Sequence, residues 1–340
     1  MIVRISTLLL SAAMLVTSAT AASNLNGAGA TFPNPIYQKW FSEYHKAHSD
    51  VQINYQSVGS GAGIQQLTAG TVDFGASDMP MKDEQLADVQ SKRGFEVFNL
   101  PTVLGADVPA YNVPGITGEL KFTGPLLADI FLGKVSKWDD PEIAKINPGI
   151  KFPSTPIVVV HRSDGSGTTF VFTDFLSKVS PEWKQKVGAN TSVSWPTGLG
   201  QKGNEGVSGQ IRQMEGAIGY IELIYAVQNK IPYGTVQNAA GQFVKASLDS
   251  VTAAAASVKE MPADFRVSIT NASGRAAYPI ASFTYLLIPA KWSDAGKRAT
   301  MVDFLNWMIN TGQSMAKDLD YAPLPKAVAD KVHARIGEIQ

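Results

Sequence analysis

The feature that most constrains this chain is a recurring junction in which a short apolar run passes through a glycine turn into a helix. Val51, Ile53 and Tyr55 alternate with polar residues, as a half-buried strand does, and the turn Gly59-Ser60-Gly61-Ala62-Gly63 follows before a helical stretch over 64–69. Ile157-Val158-Val159-Val160 suits a buried parallel strand and runs through His161-Arg162-Ser163-Asp164-Gly165-Ser166-Gly167 into a helix over 168–179. Around these lie a helix over 34–48, with Ile36, Trp40, Phe41 and Tyr44 on one side, and another over 300–309, with Met301, Phe304, Leu305 and Met308 inward. Strands are expected over 71–76, 217–223 and 283–288, and a polar helix over 81–90. The alternation predicts an α/β fold: a parallel or mixed sheet with helices on its faces. Clustered Pro and Gly mark loops at 109–125, 147–156 and 196–209, and the Ala-rich stretch 251–258 reads as a surface helix.

The 340 residues suit about two domains. Lys+Arg and Asp+Glu both number 29, so no basic excess exists for general nucleic-acid binding. The absence of Cys excludes disulfides, thiolate catalysis and zinc–thiolate or iron–sulfur sites. Residues 1–21 read as a cleaved export signal: Arg4 is the only charge, Leu8 to Leu10 and Met14 to Val16 form a short apolar core, and Ala19-Thr20-Ala21 offers the small-x-small cleavage pattern, with cleavage after Ala22 the alternative. The uncharged stretch 5–19 is shorter than the roughly 20 residues a spanning helix needs. Without Cys there is no N-terminal lipid attachment, so a free protein is expected, with 28 basic and 29 acidic residues once Arg4 is removed.

Three turns have the form of anion cradles, because a helix N-terminus carries unpaired N–H groups and about half a positive charge. They are Gly27-Ala28-Gly29-Ala30-Thr31-Phe32-Pro33, with Thr31 placed to cap a helix, then Gly59 to Gly63, and then Asp164-Gly165-Ser166-Gly167-Thr168. Each alone is equally a tight connection. A P-loop is absent, and the third glycine of a dinucleotide fingerprint starting at Gly59 falls on Ile64. A compact anion fits better than a nucleotide. Arg162 adds a fork for an oxyanion beside the third cradle, with Asp164 to fix it, although a surface ion pair has the same spacing. Asp78 ends a predicted strand, where a turn carboxylate is also common.

Taken together, these runs resemble the periplasmic phosphate-binding proteins of the phosphate-specific ABC transporter, the PstS family. The matching strings are GAGATFPNPIY (27–37), VGSGAG (58–63), TVDFGASDMP (71–80), HRSDGSGTTFVFT (161–173), GLGQKGNEGV (198–207), GAIGY (216–220) and DLDYAPLP (318–325), in order along nearly the whole mature chain. The similarity is weakest over 237–276. The resemblance implies a two-lobed periplasmic binding protein fold of type II, each lobe a mixed sheet flanked by helices and joined by a hinge. Lobe I would comprise 22–106 with 279–340, and lobe II 107–278. It implies that dehydrated inorganic phosphate is held between the lobes by Thr31, Phe32 (through its N–H), Ser60, Asp78, Arg162, Ser166, Gly167 (N–H) and Thr168, with Asp164 behind Arg162. The implied partners are the membrane permease subunits and ATPase of the importer, two of each, with this protein a periplasmic monomer. No cofactor, metal or catalytic residue is implied.

The residue types suit that ligand. Phosphate at neutral pH carries at least one O–H, so a selective site needs many donors and one acceptor: hydroxyls, N–H groups and Arg162 donate, and an ionised Asp78 accepts. Sulfate, with no proton, would face a buried carboxylate; sites of this kind reject such a ligand by roughly 10⁴-fold. Other readings are a phosphatase with Ser166 as nucleophile, a site for sulfate, molybdate or a phosphonate, and a structural surface protein. The first needs a base or metal, yet the four His (His45, His48, His161 and His333) form no evident cluster with carboxylates, and His45 and His48 read as a solvated helix face. The second has no use for Asp78, and the third no use for three convergent cradles.

Overall fold

The computed structural model describes residues 23–116 and 118–340; the expected export signal lies outside them. The first part of the chain winds through β1 (Ser23–Gly29), α1 (Asn34–Ala47), β2 (Val51–Ser57), α2 (Ser60–Ala69), β3 (Phe74–Ser77), α3 (Asp83–Arg93) and the long β4 (Val97–Asn112). The middle follows as β5 (Lys121–Phe122), α4 (Gly124–Phe131), α5 (Pro141–Ile146), β6 (Val158–Arg162), α6 (Gly167–Val179), α7 (Pro181–Lys186), β7 (Leu199–Gln201), α8 (Gly203–Gln213), β8 (Ala217–Glu222) and α9 (Leu223–Gln228). The chain closes with β9 (Thr235–Gln237), β10 (Phe243–Val244), α10 (Leu248–Ala255), β11 (Ala281–Pro289), α11 (Ala295–Asn310) and α12 (Lys326–Ile336).

The main sheet has the order β2-β1-β3-β11-β4-β8-β6-β7, and β10-β9-β5 form a small second sheet. Strands β1, β2 and β3 run parallel, as do β6, β7 and β8, while β11 and β4 are antiparallel to their neighbours. One strand joins the halves: β4 pairs with β11 as far as Ala106 and with β8 from Asp107 onward. The mixed sheet with helices matches the α/β expectation.

Each half has its own aromatic core. In the first, Tyr37, Trp40, Phe41 and Tyr44 of α1 are buried as the helical periodicity requires, with Phe41 against Phe74 and Phe304. The Trp40 indole N–H reaches Gly312 O at 2.8 Å, which satisfies the one polar atom of a fully buried ring. Met301, Phe304, Leu305 and Met308 of α11 face inward as expected. In the second half, Phe172 stacks on Tyr220 at 4.5 Å and His161 on Trp195 at 4.8 Å.

Local expectations needed five corrections. Helix α2 begins at Ser60, so Gly61 and Gly63 lie in its first turn. Gly63 serves close packing there, since a Cβ would come within 2.6 Å of Ala28 O. Strand β3 starts only at Phe74. The expected loop 196–209 contains β7 and the start of α8, and residues 109–112 belong to β4. Finally, α10 is no surface helix: Val251, Ala254 and Ala255 are buried against β4 and β11, where small side chains let the helix approach the sheet.

Candidate anion-binding site

Every sequence-predicted site residue lies at or just beyond the carboxyl end of a parallel strand, where ligands of open α/β sheets collect. Thr31 and Phe32 follow β1, Ser60 follows β2, Asp78 follows β3, and Asp164 to Thr168 follow β6, whose last residue is Arg162. The two groups of turns face each other. The Gly61 N–H donates to Gly165 O at 2.8 Å, and the Gly167 N–H donates to Ser60 Oγ at 3.0 Å. The approach depends on glycine: a Cβ on Gly61 would sit 3.1 Å from Gly165 Cα, and one on Gly167 would collide with Ser60 Oγ at 2.6 Å. Thr31, Phe32, Ser60, Asp78, Arg162, Ser166 and Thr168 are all buried.

The turns differ in detail from simple caps. Pro33, not Thr31, is the N-cap of α1, because the Thr31 hydroxyl is engaged elsewhere: it accepts from Asn204 Nδ2 at 2.8 Å and from the Asn204 N–H at 3.2 Å. Ser166 caps α6 by accepting from the Thr169 N–H. The Phe32 carbonyl accepts from the Tyr321 hydroxyl, and that of Thr31 from the Tyr225 hydroxyl. The N-termini of α1, α2, α6 and α8 thus converge, one more than the sequence pattern exposed.

Arg162 is an internal ion pair, not a surface one. Its Nε donates to Asp164 Oδ1 at 2.7 Å and its Nη2 to Asp164 Oδ2, with only 3% of the residue exposed. Burial disfavours the charge on both groups, but each outweighs that for its partner, raising the guanidinium pKa and lowering that of the carboxyl. Since Asp164 covers the Nε/Nη2 edge, the Nη1/Nη2 edge remains to grip an oxyanion, and Nη1 also donates to Thr168 Oγ1 at 3.3 Å.

Asp78 is the only carboxylate among the predicted anion contacts. Its Oδ1 accepts from Thr284 Oγ1 at 2.8 Å, while Oδ2 is buried with no hydrogen-bond partner. Burial pushes its pKa up to about 7, against the pull of the Thr284 hydrogen bond and the Arg162 charge. Two more buried carboxyls pair in register nearby, Asp107 on β4 and Glu222 on β8. Burial moves both well above the ordinary carboxylate range, toward the neutral acid. Sequence reasoning missed Asn204, Thr284, Asp107 and Glu222. Asn204 lies inside the GLGQKGNEGV string, which was the one available signal.

No group of three or more His, Asp or Glu suited to a metal occurs among the described residues. The His45 ring hydrogen-bonds Val51 O, His48 stacks on Tyr44 and His161 on Trp195, and the Ser166 hydroxyl accepts from the Thr169 N–H. The geometry is that of a buried, donor-rich site in which Asp78 Oδ2 is an unpartnered acceptor.

Cleft and sheet order together define a two-lobed solute receptor of the periplasmic binding protein type, and the PBP superfamily domain matches residues 16–311. The fold is similar to that of a high-affinity periplasmic phosphate-binding protein, PfluDING, with a TM-score of 0.74 at 23% identity over 92% of this chain and 93% of that one. A phosphate-binding protein from Stenotrophomonas maltophilia is similar at TM-score 0.71 and 17% identity, over 92% and 93%. In sequence the chain is 49% identical to the phosphate-binding protein PstS of Xylella fastidiosa over 317 residues, 93% of this chain and 85% of the relative. It is 47% identical to that of Pasteurella multocida, over 93% and 90%. The chain belongs to the PstS family, whose members are binding proteins rather than enzymes.

Proposed function

We propose that this protein captures inorganic phosphate between its two lobes in the periplasm and hands it to an ABC importer of two permease and two ATPase subunits. It acts as a monomer freed from its export signal; among the described residues no helix is long and apolar enough to cross a membrane. The names of its relatives support the ligand class, and one observation at the site carries the reading: Asp78 Oδ2, flanked by the donors of the converging turns, is buried and accepts no hydrogen bond. The hydroxyls of Thr31, Ser60, Ser166 and Thr168, the Phe32 N–H and Arg162 donate to phosphate oxygens, and Asp78 takes the phosphate proton. The Gly167 N–H, engaged with Ser60, joins as a three-centre donor. Asp164 holds Arg162 in place. Lobe I comprises 22–106 with 279–340 and lobe II 107–278. The change of partner along β4 at Asp107 supports the first boundary, and the start of β11 at Ala281 the second.

About five charge-assisted hydrogen bonds at 1.5–3 kcal/mol each suffice for micromolar affinity, about −8 kcal/mol. The test is calorimetry of phosphate, arsenate and sulfate on mature protein refolded from denaturant to strip carried-over ligand. Phosphate and arsenate, both protonated, are expected to bind closely alike and far more tightly than sulfate. Sulfate binding as tightly as phosphate at pH 8.5 would end the reading.

A further inference from the structure

We infer that Asn204 is a positioning residue that makes the Thr31 and Thr168 hydroxyls obligate donors; the inference rests on the phosphate reading above. A hydroxyl has one proton and two lone pairs, so by itself it can serve either as donor or as acceptor toward a ligand. Here that choice is removed. Thr31 Oγ1 accepts from Asn204 Nδ2 at 2.8 Å and from the Asn204 N–H at 3.2 Å. Thr168 Oγ1 accepts from Asn204 Nδ2 at 3.1 Å and from Arg162 Nη1 at 3.3 Å. With both lone pairs engaged, each oxygen has only its O–H left to offer.

The amide itself cannot turn round. Asn204 Oδ1 accepts from the Glu222 N–H at 3.0 Å, and a backbone N–H is never an acceptor. That bond fixes Oδ1 toward Glu222 and therefore Nδ2 toward the two threonines. The Glu222 N–H is held in turn at the end of β8, where the strand passes into α9. The polarity of the backbone is thus passed through one buried amide to two hydroxyls, one from each lobe. Asn204 is fully buried, so water does not supply a substitute donor. A site whose hydroxyls only donate is complementary to an oxyanion and leaves a carboxylate, Asp78, rather than a hydroxyl to accept the ligand's proton.

The test is phosphate affinity of Asn204→Ala and Asn204→Asp, by calorimetry or, where binding weakens, equilibrium dialysis with labelled phosphate. Each is also made in a Thr31→Val/Thr168→Val background. Asn204→Ala is expected to raise Kd about tenfold, the scale of one lost charge-assisted hydrogen bond. Asn204→Asp keeps the shape and the bond to the Glu222 N–H but draws the threonine protons toward itself. It is expected to raise Kd about 100-fold or more at pH 8, and to recover as pH falls and the new carboxyl regains a proton to donate. In the double-valine background Asn204→Ala is expected to change Kd less than about twofold, because the groups it acts through are gone. A purely structural asparagine predicts the reverse: the isostere milder than alanine, and the alanine effect undiminished without the hydroxyls. Either result in a parent that binds phosphate overturns the role of Asn204 alone. A parent that does not bind phosphate overturns the phosphate reading, and this inference with it.

Discussion

Sulfate binding should be controlled by a proton on Asp78. The carboxyl is buried, with Oδ2 unpartnered, and its pKa stands at about 7. Sulfate brings no hydrogen, so it can occupy the cleft only when Asp78 is protonated and donates to it. The protonated fraction grows as pH falls, so sulfate affinity must grow in the same direction and level off below the pKa. With a pKa of about 7, half of the Asp78 groups hold the proton at pH 7 and about one in a hundred at pH 9. Sulfate affinity is therefore expected to rise about 50-fold from pH 9 to pH 7, just over 2 kcal/mol, and only about twofold more below that. Phosphate, which arrives as HPO₄²⁻ with its own hydrogen, should vary far less over this range. Asp78→Asn replaces the titrating group with an amide that accepts from Thr284 and donates at every pH. Its sulfate profile should be flat and, at pH 9, about 50- to 100-fold tighter than the parent. Calorimetry of both proteins with both anions at pH 7, 8 and 9 reads this directly. Parallel sulfate profiles for parent and variant would refute the proton-acceptor role. The exclusion of sulfate is therefore expected to be weaker at neutral pH than at pH 9.

Other outcomes follow from the same geometry. Arg162→Ala leaves Asp164 without its cation in a largely buried setting; it should lower stability by about 3–5 kcal/mol and weaken phosphate more than 100-fold, read by thermal unfolding and calorimetry. Arg162→Lys should restore little, since an ammonium cannot span both Asp164 oxygens while reaching the ligand. Gly61→Ala puts a methyl 3.1 Å from Gly165 Cα, so phosphate affinity should fall about tenfold by calorimetry; unaltered affinity would show that the facing turn yields to the methyl. Trp40→Ala empties a fully buried indole position in the first aromatic core and should cost about 3–5 kcal/mol in stability, read by thermal unfolding.

The strand–turn–helix junctions were legible because their signals are local. Hydrophobic alternation, glycine and hydroxyl residues near strand ends, and helical spacing on α1 and α11 all act over a few residues. The α/β class and the three cradles followed from these, while the lobes and the set of contacts came with the family resemblance. Helix α8 was hidden because Gly203 and Gly206 at its start suppress the helical signal, so a residue at its N-terminus was read as loop. The Ala-rich α10 looked exposed because small side chains give the same pattern whether they face water or a closely approached sheet.

What the sequence determined by itself is the inventory: which turns have the form of an anion cradle, which side chains near them are able to donate, and that a carboxylate stands at position 78. What only the tertiary structure decided is the state of those groups. Asn204 meets Thr31 across 173 positions, and Thr284 meets Asp78 across 206. The pKa of about 7 on Asp78 arises from burial, against the pull of Thr284 and Arg162. Hydrogen-bond direction and protonation depend on which groups lie within a few ångströms and on how much water they exclude, and that distance is set by the fold rather than by neighbours along the chain.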